Sequence, residues 1–201
     1  MNRPYGTLST LRSARKQETR ERLLRAGAVV FASHGFTAGR IEDVVAEAAV
    51  SRQTFYIHFD SKEQLLLEIM HREEARMMAQ YEALARLGPA APDEAAGWAE
   101  EFLALAREDR ATILLLMSTV PFEVAGAGTT SAFYRAVIAM LGRTLPAFAA
   151  TMADQVREAA ALLLFFQLEM MQRHALVEPA TDCTALCRAW GEQWARYVSA
   201  T

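Results

Sequence analysis

The chain has 201 residues, 52% of them hydrophobic and 22% charged, a balance that suits a packed core and excludes a mainly disordered protein. No apolar run reaches the roughly 18 residues of a membrane-crossing helix; the longest, "AAALLLFF" at 159–166, is far shorter. The formal net charge of −3 argues against a nucleic-acid partner for the chain as a whole, but residues 1–64 hold ten Lys and Arg against seven Asp and Glu, and the remainder eleven against seventeen. A head at +3 on a body at −6 is the asymmetry of a DNA-contacting segment joined to a domain with a different task.

The opening "MNRPYGTLSTLRSARKQETR" has basic residues without an apolar segment behind them, so no secretory signal is expected, and the protein is placed in the cytoplasm with no membrane partner. Ala, Leu, Arg, Glu and Met dominate, and the β-branched clusters of a sheet are missing, which predicts an all-α fold of about nine helices. Residues 1–14, with Pro4 and Gly6, are expected to form a flexible arm. A first helix is predicted from Arg15 to Ser33, with Leu24, Ala28 and Phe31 on one line. Gly27 interrupts it at a cost of about 1 kcal/mol against Ala, which a close approach by a neighbouring helix would explain. Gly35 in "SHGF" is the C-terminal breaker. A short second helix, Ile41 to Ala48, turns Ile41, Val44, Val45 and Ala48 inward and carries Glu42 and Asp43 where its dipole favours them.

After the tight turn "AAVS", Ser51 is the N-cap of a third helix, Arg52 to His58. A fourth begins in "DSKEQLLLEIM", where Ser61 and Gln64 have capping-box spacing, and continues unbroken to Leu87. "GPAAPD" at 88–93 is a loop, and further helices are predicted near 93–107, 109–120, 130–149, 153–176 and 182–199, with Pro146 interrupting the third of these.

The second and third helices have the form of a helix-turn-helix. On the third, Arg52 suits guanine N7/O6 or a phosphate, Gln53 suits adenine, and Thr54 offers a methyl or a hydroxyl to a base edge. Tyr56 and His58 stand further along, where their polar tips reach phosphates, and Lys62 adds a phosphate contact from the next helix. Phe55 and Phe59, at i and i+4, point the other way and anchor the helix to the body. Periodicity alone leaves open a polar surface helix of a helical bundle.

Residues 19–70 resemble the N-terminal domain of the TetR family of bacterial transcription regulators. The matching stretches are "AGAVVFASHGF", the I-x-D-V of Ile41 to Val44, the A-x-V-S of Ala48 to Ser51, "TFYIHF", and the S-K-E-x-L of Ser61 to Leu65, in order and at the family's spacing. The resemblance implies a double-stranded DNA operator as partner and assigns DNA-contacting positions to Ser51, Arg52, Gln53, Thr54, Tyr56, His58 and Lys62. The chain departs from the pattern at Gly39-Arg40, where relatives have a Thr-Thr or Thr-Ser cap; Arg40 is expected to replace the phosphate contact by charge. Ala49 replaces the usual turn glycine and is strained by the order of 1 kcal/mol if φ stays positive there. The arm holds Arg3 and Arg12, with Arg15 and Lys16 behind, and is either a solubilising tail or a minor-groove or phosphate contact as in some relatives.

In the last helix Cys183, Leu186, Cys187, Trp190, Trp194 and Tyr197 form one stripe, and "AAALLLFFQLEMM" before it is apolar nearly all round. Both are expected at a dimer interface, and the family implies the same homodimer, joined by a four-helix bundle. Cys183 and Cys187 are expected to be small reduced core residues. The family also implies a small-molecule effector in the body, domains of 15–64 for DNA binding and 65–201 for effector binding and dimerisation, and a moving fourth helix. Large soft side chains suit an adaptable apolar pocket, for which Phe102, Met117, Phe122, Phe133, Phe165, Phe166, Glu169 and Met170 are the candidates. Glu169 either pairs with Arg173 at i+4 or faces that pocket. No catalytic motif, metal set or cofactor motif is found, so no enzyme is expected. The competing function is a dimeric DNA binder governed by a protein partner or by no effector.

Overall fold

A computed structural model describes residues 6–89, 91–118, 129–149 and 155–199. Among these residues there are ten helices and no strand: α1 (Gly6–His34), α2 (Ile41–Glu47), α3 (Arg52–His58), α4 (Lys62–Leu87), α5 (Pro92–Glu108), α6 (Arg110–Leu116), α7 (Thr129–Leu141), α8 (Pro146–Ala149), α9 (Gln155–Val177) and α10 (Thr184–Ser199). Apart from the start of α1, the predicted boundaries hold within a few residues, and the predicted 130–149 helix is divided, with α7 ending at Leu141 and Pro146 opening α8, where its missing N–H is no loss. No helix of the described residues is long and apolar enough to cross a membrane.

The expected flexible arm is corrected in part. α1 starts at Gly6, and its residues 10–18 are exposed helix. No proline follows Pro4 before residue 89, and the run is rich in Arg, Ala, Lys, Gln and Glu, so propensity carries the helix where packing does not.

The apolar residues separate into two main clusters. In the head, Leu23, Val44, Phe55, Phe59, Leu65 and Leu66 are fully buried, and Leu115 of α6 joins them. In the body, Tyr81, Trp98, Phe102, Tyr134, Phe148, Phe165, Trp190 and Trp194 form a continuous aromatic network. Helix α4 belongs to both, through Leu65 to Met70 at one end and Tyr81 to Ala85 at the other.

Two glycines mark close helix approaches. A Cβ on Gly27 would stand 2.6 Å from Leu65 Cδ2, so this position brings α1 against α4. A Cβ on Gly191 would stand 2.4 Å from the Pro92 carbonyl oxygen and 2.8 Å from the Ala96 nitrogen, which fixes α10 against α5. That contact corrects the reading of the last helix. Cys183, Cys187, Trp190 and Trp194 are buried in the chain's own core, and of the stripe Leu186 is the exposed large side chain. An apolar stripe shows that a face is covered, not by whom.

Candidate nucleic-acid interface and effector region

The turn between α2 and α3 is built from local signals and braced from a distance. Ser51 Oγ accepts the Thr54 N–H at 3.0 Å, capping α3. Asp43 accepts the Arg40 N–H at 3.1 Å, so α2 keeps a cap without the hydroxyl residue relatives use. Ala49 has φ 50°, the left-handed region that glycine adopts freely. The strained turn is held by Arg22 of α1, whose guanidinium donates to the Ala48 carbonyl and, at 3.0 Å, to that of Ala49. Arg20, two residues earlier on the same helix, donates to the His58 carbonyl at 2.9 Å, pairs with Glu68 at 3.2 Å and lies 4.4 Å over the Phe59 ring. One arginine of α1 therefore holds the turn before α3 and another the C-terminal end of α3. Sequence spacing gives no sign of them, because their partners lie 26 to 38 residues away.

Helix α3 turns Phe55 and Phe59 into the head core and leaves Arg52, Gln53 and Tyr56 exposed, with Ser51 beside them. Arg52 is pre-engaged: Nη1 meets Glu42 at 2.5 Å, Nη2 lies 3.4 Å from the Tyr56 hydroxyl, and the guanidinium lies over the Tyr56 ring. Arg40 reaches the other Glu42 oxygen at 3.5 Å. The backbone N–H of Glu42 holds its carboxyl below its ordinary range against a desolvation penalty, with Arg52 and then Arg40 adding to the lowering. Thr54 is half-buried and its hydroxyl is shared with Ser51 at 2.8 Å. Ile57, absent from the sequence-based candidates, is 64% exposed on the same helix.

Two candidates occupy positions other than those expected. Lys62 Nζ donates to the carbonyls of Phe36, Thr37 and Gly39 at 2.9, 3.3 and 3.3 Å and lies over the Phe36 ring. Its three donors close the α1–α2 turn instead of pointing to solvent. The same turn requires Gly39, since a Cβ there would stand 2.9 Å from the Phe31 ring. His58 is half-buried against α1, in a cleft it shares with Ser13, Lys16, Gln17, Arg20 and Ile57, and its Nδ1 is buried without a hydrogen-bond partner among the described residues. Burial, then Lys16 and Arg20, push the imidazole below its ordinary pKa, which favours the neutral ring.

In the body, Phe102 and Phe165 are buried, and Phe133 is half-buried against Tyr81 and Tyr134. Glu169 is half-buried beside them and accepts the Tyr134 hydroxyl. Met117 stands apart from these, packed with Ala106, Ile113 and Leu176. Phe122 lies outside the described residues. Phe166 and Met170 stand at the surface, 44% and 63% exposed, and line an apolar groove with Leu163, Leu186 and Ala189, although Phe166 keeps an edge on Tyr134. On a helix apolar nearly all round, spacing cannot tell the inner face from the outer one. Gln167 and Gln193 join across the groove floor at 2.9 Å.

Between head and body lies a polar cleft of about 330 Å³, lined by Glu21 and Arg25 of α1, Arg72, Glu73 and Arg76 of α4, and Asp109 and Thr112. Arg76 ties α4 to the end of α5, donating to the Leu105 carbonyl at 2.8 Å and meeting Asp109 at 3.4 Å. Glu73 is buried 3.5 Å from Arg76, and burial pushes its carboxyl up to about 7.

Comparison with known proteins agrees with this arrangement. The family profile described as bacterial regulatory proteins of the tetR family matches residues 23–69. The chain is 35% identical over 85 residues, 42% of its length, to the HTH-type transcriptional repressor NicS of Pseudomonas putida, and 32% identical over 87 residues, 43% of its length, to the HTH-type transcriptional repressor SCO4008 of Streptomyces coelicolor. These matches span 40% and 42% of the two relatives. The whole fold is similar to a TetR-like transcriptional regulator from Rhodococcus sp. RHA1, with a TM-score of 0.67 at 18% identity over 91% of this chain and 97% of that one. It is also similar to the transcriptional regulator FadR of Bacillus subtilis in complex with stearoyl-CoA, with a TM-score of 0.63 at 14% identity over 87% and 96%. The helix-turn-helix segment thus matches the tetR-family profile in sequence, and the chain as a whole is similar in fold to solved regulators of that family.

Proposed function

We propose that the chain is a homodimeric, effector-responsive transcription regulator, a repressor released from a pseudo-palindromic DNA operator by a small, largely apolar molecule. The observation that carries this reading is α3: seven residues, capped by Ser51, anchored by Phe55 and Phe59, and presenting Arg52, Gln53 and Tyr56 outward. That is the form of a helix that enters the major groove with base-reading groups at its N-terminal end. Arg40, Arg52, Gln53 and Tyr56 carry the contacts, with Ser51 and Thr54 shaping the helix start. Lys62 and His58 act as positioning residues that keep α1, α2 and α3 in register.

The division into a reading head of residues 15–64 and an effector and dimerisation body of 65–201 belongs to the same proposal. The apolar groove of α9 and α10, with Leu163, Phe166, Met170 and Leu186 exposed, suits a second copy of the chain, which a two-fold operator requires. Effector binding is supported by the aromatic body and by the acyl-CoA held in the related fold. By linkage, a ligand favouring a conformation with the heads apart weakens DNA binding by the same coupling energy, and α4, packed in both cores, is the element through which this passes.

The test is selection of bound duplexes from a random pool at moderate salt, with Tyr56→Ala beside the wild type. The wild type is expected to enrich a pseudo-palindrome and the variant to enrich nothing. Enrichment of the same sequence by both would remove α3 as the reader. Pseudo-palindrome binding that no small molecule relieves would favour a regulator governed by a protein partner.

A further inference from the structure

Glu169 is a carboxylate in unusual company. It sits on α9, half-buried, with the Tyr134 hydroxyl donating to one of its oxygens. No ion pair reaches it among the described residues, and Arg173, one turn away, is exposed. Residues 119–128 and 150–154 contain neither Lys nor Arg, so no side chain there supplies the missing cation. Its neighbours are rings. Tyr134 stacks on Phe165 with centroids 5.4 Å apart and planes 7° from parallel, and Tyr81 meets the same Phe165 edge-on at 5.3 Å. Phe133 closes on Tyr134 at 5.5 Å and on Tyr81 at 6.4 Å. The Tyr81 hydroxyl is fully buried and has no hydrogen-bond partner among the described residues. Burial pushes the Glu169 carboxyl up, and the Tyr134 hydrogen bond only partly opposes this.

A carboxylate held among rings without a counter-ion is costly, and so is an unpartnered buried hydroxyl. One ligand chemistry answers the carboxylate and the surrounding rings together. A positive charge pairs with the carboxylate and is attracted to the faces of Tyr, Trp and Phe, while an apolar body fills the remaining aromatic surface. A neutral apolar effector has no use for the carboxylate, and an anionic one is repelled by it. We propose that Glu169, Tyr134 and Tyr81 form the polar end of the effector site and select a lipophilic organic cation, an alkylammonium or arylammonium compound. This rests on the effector-responsive reading above and narrows it to one chemical class. Tyr81 lies on α4, so a cation seated beside it presses directly on the helix shared by both cores. Because the rings are in mutual contact, the ligand must part α4 from α7 and α9 to enter, and this displacement is what reaches the head.

Calorimetric titration of the full chain with three ten-carbon probes below their micelle concentrations tests the assignment: decyltrimethylammonium, 1-decanol and decanoate. The ammonium is expected to bind at least tenfold more tightly than the other two. Glu169→Gln should lose tenfold or more for the ammonium while keeping its weak affinity for the alcohol. Thermal melting of Glu169→Gln and Tyr81→Phe, at or above the wild-type midpoint, would show that both variants fold. Equal or tighter binding of decanoate or decanol, an undiminished ammonium affinity in Glu169→Gln, or no heat from any probe would each overturn the proposal. A selected pseudo-palindrome with decanoate preferred would keep the regulator and remove the cation. Ammonium binding without any selected duplex would keep the site and remove the regulator.

Discussion

The head and the body of this chain handle polar groups in opposite ways. In the head most of them restrain one another: Glu42 holds Arg40 and Arg52 at the surface, Ser51 holds Thr54, and Arg20, Arg22 and Lys62 turn their charges onto backbone carbonyls, with the buried His58 Nδ1 the exception among the described residues. In the body they point inward and several lack partners, among them the Tyr81 hydroxyl, the Trp194 indole N–H and one Gln167 oxygen. A surface that reads DNA benefits from side chains pre-organised in water, where exchanging Glu42 for a phosphate or a base edge costs little. On the proposed reading, in which the core responds to a molecule, unmet polar demand gives that molecule something to meet. The difference teaches that specificity is stored as order in the head and as dissatisfaction in the body.

The largest effect that would break this contrast lies at the α5–α10 contact. Gly191→Ala places a methyl against backbone atoms that cannot swing aside, so urea unfolding should show a loss of about 3 kcal/mol. An unchanged midpoint would mean that the body is loosely packed rather than rigid. Next comes the cleft between the two regions. The Glu73 carboxyl is raised to about 7 from an unfolded value near 4.5, so the fold binds a proton that the unfolded chain has released across that interval. Stability from this group is fully present below about 4.5, falls as pH rises to about 7 and is flat above. Glu73→Gln should therefore be more stable than the wild type at pH 8, on the order of 2 kcal/mol, and the difference should vanish near pH 4.5. Parallel pH–stability curves for the two proteins would show that Glu73 does not titrate in this way.

Smaller effects probe the head. Arg22→Ala removes the brace on the α2–α3 turn and should cost about 1.5 kcal/mol in chemical denaturation. Ala49→Gly relieves the positive φ and should return about 1 kcal/mol. The two should be coupled, because the brace and the strain share one turn; strictly additive changes in the double variant would separate them.

The parts of the molecule that could be read in advance were those written locally. Ser51, Ser61 and Gly35 mark helix ends within four residues of the groups they serve, and each stands at the expected terminus. The helix-turn-helix was readable because its spacing and its residue types both recur within about fifty positions. What was not readable depends on the third dimension. Arg20 and Arg22 look like ordinary surface charges of a helix until α3 and the turn before it are brought to them. Lys62 has the charge of a phosphate contact but lies within reach of three carbonyls that compete for it. In α9 an unbroken apolar run gave no phase, so Phe166 and Met170 were placed inside with Phe165 although they face outward. In α10 the stripe was phased correctly but assigned to a second copy, while α5 of the same chain covers it. Tyr81, between Gln80 and Glu82 in sequence, gave no sign that its hydroxyl would be buried.

The central claim is that two copies present two α3 helices to one two-fold site. It is tested most directly by weighing the complex with the selected duplex in solution, beside a duplex with one half-site scrambled. The account predicts an even number of protomers on the intact site and an affinity at least a hundredfold lower for the scrambled one. A single protomer bound as tightly to one half-site as to the whole would contradict it.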